Sequence, residues 1–179
     1  MNNKKNKFLP FIIFLMIFIF NGCATIVYKT IPLRNIAKAK GPYFVGTQNF
    51  QIVDATRKMW FSDDIKGPRK LSVKMWYPAD NIASLKKAPY LNKHKLIGSA
   101  ISKLFGVPEA LMDRAGGVKC NSWLNAVPAN GKFPIIIYSH GHQSIKIANT
   151  SQAEEMASNG YIVVAMDHSY DAALTILDE

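Results

Sequence analysis

Two short stretches carry the side chains that could do chemistry, Ser139-His140-Gly141-His142 and Asp167-His168-Ser169-Tyr170. Each follows an apolar run that stops abruptly, Pro134–Tyr138 before the first and Tyr161–Met166 before the second. Hydroxyl, imidazole and carboxylate are the groups of nucleophilic and acid–base catalysis. Gly141 lets the backbone approach a ligand closely, and N–H groups exposed in such a loop can hold charge developing on a carbonyl oxygen. No Gly-x-Ser-x-Gly elbow occurs. Ser144 follows Gly141 by three residues, the wrong spacing, and Ser139 and Ser169 lack the strand-to-helix context of an elbow. His140, His142, Asp167 and His168 form the one metal-like group, but no further Cys or carboxylate completes a zinc spacing, so neither metal nor cofactor is expected. Asp167 and His168 are adjacent at a strand end and should point apart rather than act as an acid–base dyad.

These residues need a frame. Both apolar runs suit strands buried on both faces. Between them, Ser151 and Glu154 have capping-box spacing, Ala153, Met156 and Ala157 mark a helical stripe, and Gly160 supplies a left-handed stop. Strand, helix, strand predicts a parallel pair with a right-handed crossover, and ligands in such sheets lie beyond the carboxyl ends of the strands. That places any chemistry at Ser139–Gln143 and Asp167–Tyr170. Upstream, Thr47–Val53 and Leu71–Tyr77 read as an antiparallel pair at one edge of the sheet, closed at Trp76-Tyr77-Pro78. Asn92–Phe105 reads as a helix with Leu96, Ile97, Ala100, Ile101, Leu104 and Phe105 on one face and Gly106 at its end; the stripe alone suggests a core-facing helix. Pro108–Gly131 has no clear period and reads as a connecting loop with short helical pieces. The fold class is therefore α/β, a mostly parallel central sheet with antiparallel N-terminal strands. The 179 residues reach only just past a fourth strand, so the far edge of Tyr161–Met166 is expected to lack a neighbour, as in the front part of a larger domain.

Charge is uneven. Residues 1–103 hold 18 Lys and Arg against 4 Asp and Glu, and the remainder 4 against 8, within a net charge of +10. The asymmetry favours an anionic surface; with no nucleic-acid motif present, a membrane surface is the expected partner and nucleic acid is not. Lys4, Lys5 and Lys7 precede the apolar stretch Phe8–Phe20 and then Asn21-Gly22-Cys23. A basic head, a short apolar stretch and small residues describe a secretory signal over residues 1–22. A Cys directly after Gly resembles the bacterial lipoprotein signal, which implies lipidation of Cys23, a tether over 23–40, a folded domain over 41–179 and a place in the cell envelope. Cys120 then has no disulfide partner and reads as a buried thiol.

The stretches GPYFVGTQNFQIVDATR (Gly41–Arg57), LSVKMWYPAD (Leu71–Asp80), HKLIGSAISKLFG (His94–Gly106), FPIIIYSHGHQS (Phe133–Ser144) and ASNGYIVVAMDHSYDA (Ala157–Ala172), taken in order, resemble the secreted platelet-activating-factor acetylhydrolases, serine esterases of the α/β-hydrolase fold. The resemblance implies calcium-independent hydrolysis of a short sn-2 acyl ester of a phospholipid. It implies that the His142 backbone N–H, beside Gly141, forms part of an oxyanion hole. It also implies that the helix with Leu96, Ile97, Ile101, Leu104 and Phe105 meets lipid. No position here matches that family's catalytic Ser, Asp and His, so this polypeptide alone is expected to be inactive. The rival expectation is a non-catalytic surface lipoprotein that binds lipid.

Overall fold

The structure, a computed structural model, describes residues 36–59, 67–106, 108–109 and 116–177. The expected signal segment, Cys23, most of the expected tether and the Phe105 side chain lie outside the described residues.

A long hairpin forms the middle of the sheet. β1 (Phe44–Lys58) and β2 (Pro68–Asn81) pair antiparallel from Phe44 opposite Ala79 to Asp54 opposite Arg69. Its β-branched and aromatic residues favour extended backbone. β3 (Lys87–Pro89) leads to helix α1 (His94–Phe105), which ends on Gly106 in a left-handed conformation. β4 (Lys119–Leu124), β5 (Val127–Pro128), β6 (Ile135–Ser139), α2 (Thr150–Ser158) and β7 (Ile162–Met166) follow. The strand order is β3-β4-β1-β2-β7-β6, with β5 on the end of β2. β6 and β7 are parallel, as the strand–helix–strand pattern requires, and Ser139 stands opposite Met166.

Several expectations are corrected. The hairpin lies inside the sheet, flanked by β4 and β7, rather than at its edge. β2 runs through Pro78 to Asn81. The Pro78 carbonyl accepts the Ala129 N–H, and within an extended strand a residue's N–H and C=O point the same way. The missing donor therefore falls on the short β5 side, and the β1 ladder does not need it. Residues 108–131 contain two strands, not only loop. The outer edge belongs to β6, because β7 is paired on both sides. β6 is not buried on both faces either: Ile135 and Ile137 are 65% and 72% exposed.

The other face of β6 packs inward. Ile136 and Tyr138 join Val45, Trp76, Val163, Ala165 and the α2 residues Ala153 and Ala157 in one core cluster. A second cluster clamps α1, where Ile97 and Ile101 meet Leu91, Ile145, Ile147, Leu174 and Ile176. The capping box is not formed: α2 starts on Asn149 without a side-chain cap. Glu154 instead faces the sheet, fully buried, and reaches β4. Its carboxylate accepts from the Ser122 N–H (2.9 Å) and hydroxyl (2.6 Å), and from the Asn121 N–H and side-chain amide (both 3.0 Å).

Glu154→Ala strips a partner from four donors, each a costly loss when buried, and should lower stability by about 3 kcal/mol or more in urea unfolding. The same variant should open Cys120, 1% exposed in the native fold, to thiol reagents. An unchanged urea midpoint would show that the carboxylate holds nothing.

Candidate active site

The carboxyl ends of β6 and β7 lie side by side, and the loops that leave them are joined by hydrogen bonds. Gln143 N–H donates to the Asp171 carbonyl (3.0 Å), and Ala173 N–H to the Ser144 carbonyl (3.0 Å). The His142 imidazole meets the Asp171 carboxylate at Nδ1 (2.5 Å). Buried His140 donates from Nδ1 to the Gly141 carbonyl (2.8 Å) and accepts the His168 N–H at Nε2 (3.1 Å), which together define a neutral Nδ1–H tautomer. Ser139 Oγ lies 2.7 Å from His168 Nε2.

Beneath these loops, Asp167 acts as a clamp. Its Oδ1 accepts the Lys146 backbone N–H (2.6 Å), its Oδ2 lies 3.4 Å from Lys146 Nζ, and Lys146 also donates to the Ser72 hydroxyl. Both side chains are about 5% exposed. Burial pushes the Asp167 carboxyl above its usual range, although the bonds and charge of Lys146 pull it down.

Within this tight frame, no described residue accepts a hydrogen bond from the Gly141 or His142 N–H. Gly141 is exposed, and a Cβ placed there would meet nothing within 4 Å. Its φ is not in the left-handed region; that conformation falls instead on Gln143, at φ 52°, where a non-Gly residue costs roughly 1–2 kcal/mol. A cleft of about 310 Å³ opens beside the loop, lined by Leu104, His142, Gln143, Tyr170, Asp171 and Ala173.

The stripe expected to face lipid divides. Leu96 and Leu104 are 57% and 61% exposed, while Ile97 is buried and Ile101 half-buried in the second core cluster. Ile97 and Ile101 therefore hold the helix down, and of the four described side chains Leu96, Ile97, Ile101 and Leu104 the two leucines are the ones available to a ligand. Among the described residues no three His, Cys, Asp or Glu side chains converge as metal ligands; His140, His142, Asp167 and His168 spend their polar atoms on one another's loops. The Ser139–His168 contact was missed from the sequence. Its signal was parity: Ser139 opposes Met166, and His168 lies two residues further on, toward the same face.

A profile of the family described as platelet-activating factor acetylhydrolase, isoform II, matches residues 29–177. The chain is 25% identical over 144 residues to the platelet-activating factor acetylhydrolase of Gallus gallus, covering 77% of this chain and 31% of that protein. It also superposes on a solved ferulic acid esterase from Streptomyces cinnamoneus with a TM-score of 0.64 and 30% identity, covering 78% of this chain and 37% of that one. The chain thus spans about a third of the length of either relative, and the α/β-hydrolase-like architecture holds over that span.

Gly141→Ala should leave stability within about 0.5 kcal/mol, because the added methyl enters open space. Gly46→Ala should cost at least about 1–3 kcal/mol by overpacking, since its Cβ would fall 2.3 Å from a Tyr77 ring carbon whose hydroxyl is tied to the Ala126 carbonyl. Equal urea midpoints for the two variants would contradict this geometry. For Asp167, the folded state holds the proton more tightly than the unfolded chain. Its contribution is therefore full below the ordinary carboxylate range and is lost as pH rises through the higher folded value. Asp167→Asn should flatten that limb of the stability–pH curve, and a limb of unchanged slope would assign it to other groups.

Proposed function

The chain belongs to the platelet-activating factor acetylhydrolase, isoform II, family, and from that premise we propose that it serves hydrolysis of a carboxylic ester, with a short sn-2 acyl phospholipid as substrate. The observation that carries the reading is the pair of N–H groups at Gly141 and His142 that no described residue engages, held beside a cleft by loops cross-linked through Gln143, Ser144, Asp171 and Ala173. Such donors hold the oxyanion of the tetrahedral intermediate, and loss of one typically costs about 100- to 1000-fold in rate. The reacting hydroxyl in this chemistry is a serine activated by a histidine that an acid orients. No Gly-x-Ser-x-Gly stands in the 179 residues, so residues 1–179 by themselves bind the ester without sustained turnover of phospholipid.

Exposed Leu96 and Leu104, with Lys95 and Lys103 beside them, suit contact with a membrane surface: the leucines enter the headgroup region and the lysines meet anionic charge. The apolar export signal and Cys23 are consistent with an envelope lipoprotein tethered to such a surface.

Titration with a water-soluble phospholipid bearing an sn-2 acetyl group should move the Gly141 and His142 amide resonances. His142→Pro, which deletes the N–H, should weaken binding about tenfold, the equivalent of one hydrogen bond of about 1.4 kcal/mol. Affinity unchanged by that substitution would remove the oxyanion assignment. Flotation with phosphatidylglycerol vesicles should fall when Leu96 and Leu104 are both replaced by Ser. Retained flotation without any amide response to the phospholipid would favour the lipid-binding, non-catalytic alternative.

A further inference from the structure

Ser139 and His168 are used by neither the family's expected machinery nor the core. Their side chains meet at 2.7 Å between Oγ and Nε2, the separation of a hydroxyl nucleophile from its general base. Both ends are fixed by backbone. Ser139 closes β6 opposite Met166. The His168 N–H donates to His140 Nε2, and its carbonyl accepts the Asp171 and Ala172 N–H groups at 2.8 Å each. The His140 ring lies against the His168 ring, with centroids 4.6 Å apart. Ser139 is exposed, on the same strand face as Ile137, which is 72% exposed. The free Gly141 and His142 N–H groups follow two and three residues later in the same loop. A nucleophile–base pair, an apolar approach surface and nearby oxyanion donors thus share one corner of the sheet.

We propose that Ser139 and His168 form a second, self-contained acyl-accepting site in this chain, reactive toward small activated aryl esters. Ser139 Oγ attacks the carbonyl carbon while its proton passes to His168 Nε2. The tetrahedral oxyanion collapses, the bond to the aryl oxygen breaks, and the phenolate leaves with the electron pair. Acyl-Ser139 and imidazolium remain, and the imidazolium returns its proton to solvent. Water, deprotonated by the same imidazole, later releases the carboxylic acid and restores the hydroxyl. The aryl ring of the ester rests on Ile137. The site needs no oxidant, metal or further chain segment, and it shares only the loop amides with the phospholipid reading.

The test uses the whole chain and p-nitrophenyl acetate. A burst of about one p-nitrophenolate per chain is expected, with the acetyl group found on the peptide containing Ser139. Ser139→Ala should abolish the burst. His168→Ala should slow it at least about 100-fold, the usual share of a general base. Ser139→Cys should keep an acylation burst, which separates loss of the nucleophile from loss of the fold. A burst that survives in Ser139→Ala, acetyl groups confined to lysines or to His142, or no burst in folded wild-type chain would each overturn the site. Because phospholipid binding is read separately through the Gly141 and His142 amides, a missing burst leaves that binding intact, and failed phospholipid binding leaves the burst intact.

Discussion

The structure depends on a carboxylate buried where an apolar side chain would be the ordinary choice. Removing Glu154 from water costs several kcal/mol before any partner is found. Four donors from Asn121 and Ser122 offset that cost, and they do so in only one rotation of α2 about its axis. A purely apolar face would hold the helix on the sheet and let it turn; the carboxylate fixes its angle. Since α2 is the crossover between β6 and β7, its placement sets where those strands sit and so where their loops emerge. The adjoining thiol registers the same low-polarity surroundings: burial first, then the Glu154 charge, pushes Cys120 up to about 12.

Above that frame the loops are rigid by reciprocity. Each supplies what the other lacks: carbonyls of 141, 144, 168 and 171 accept from the facing or neighbouring turn, while His140 and Asp167 bridge from below. The left-handed Gln143 is held in place because its N–H is spent on Asp171. Among the described residues the Gly141 and His142 N–H groups stay unspent, beside a Ser139 hydroxyl and His168 imidazole that are spent only on each other. Preorganised donors of this kind need no reorganisation when charge develops, which is the source of their catalytic value.

Much of this was legible from residue patterns, and the exceptions share a cause. The parallel pair, its helix and the loop residues could be read because Pro134–Tyr138 and Tyr161–Met166 are apolar and bounded by turn residues. β4 escaped because its two fully buried positions are Cys120 and Ser122, so polarity does not alternate along it in the usual way. Glu154 was misread for the related reason that its partners lie 32 and 33 residues away, beyond any local motif. The split of the α1 stripe into core-facing Ile97 and exposed Leu96 could not be seen from spacing, because a stripe says which residues share a face and not how much of that face is covered.

The outer edge of β6 has a consequence for how these residues behave in concentrated solution. Three isoleucines in a row present a strand whose outward backbone groups are unmatched among the described residues, and the side chains of Ile135 and Ile137 face water. Such a ribbon is a template for intermolecular strand addition and for fibrous deposits. Pro134 stands at its start without an N–H to offer and shortens the template from one side, as gatekeeper residues do. The far end is guarded by the turn at His140, where the backbone leaves the sheet plane. Solubility of this polypeptide therefore rests on two punctuation marks around five residues, and on the mutual repulsion of a strongly cationic surface.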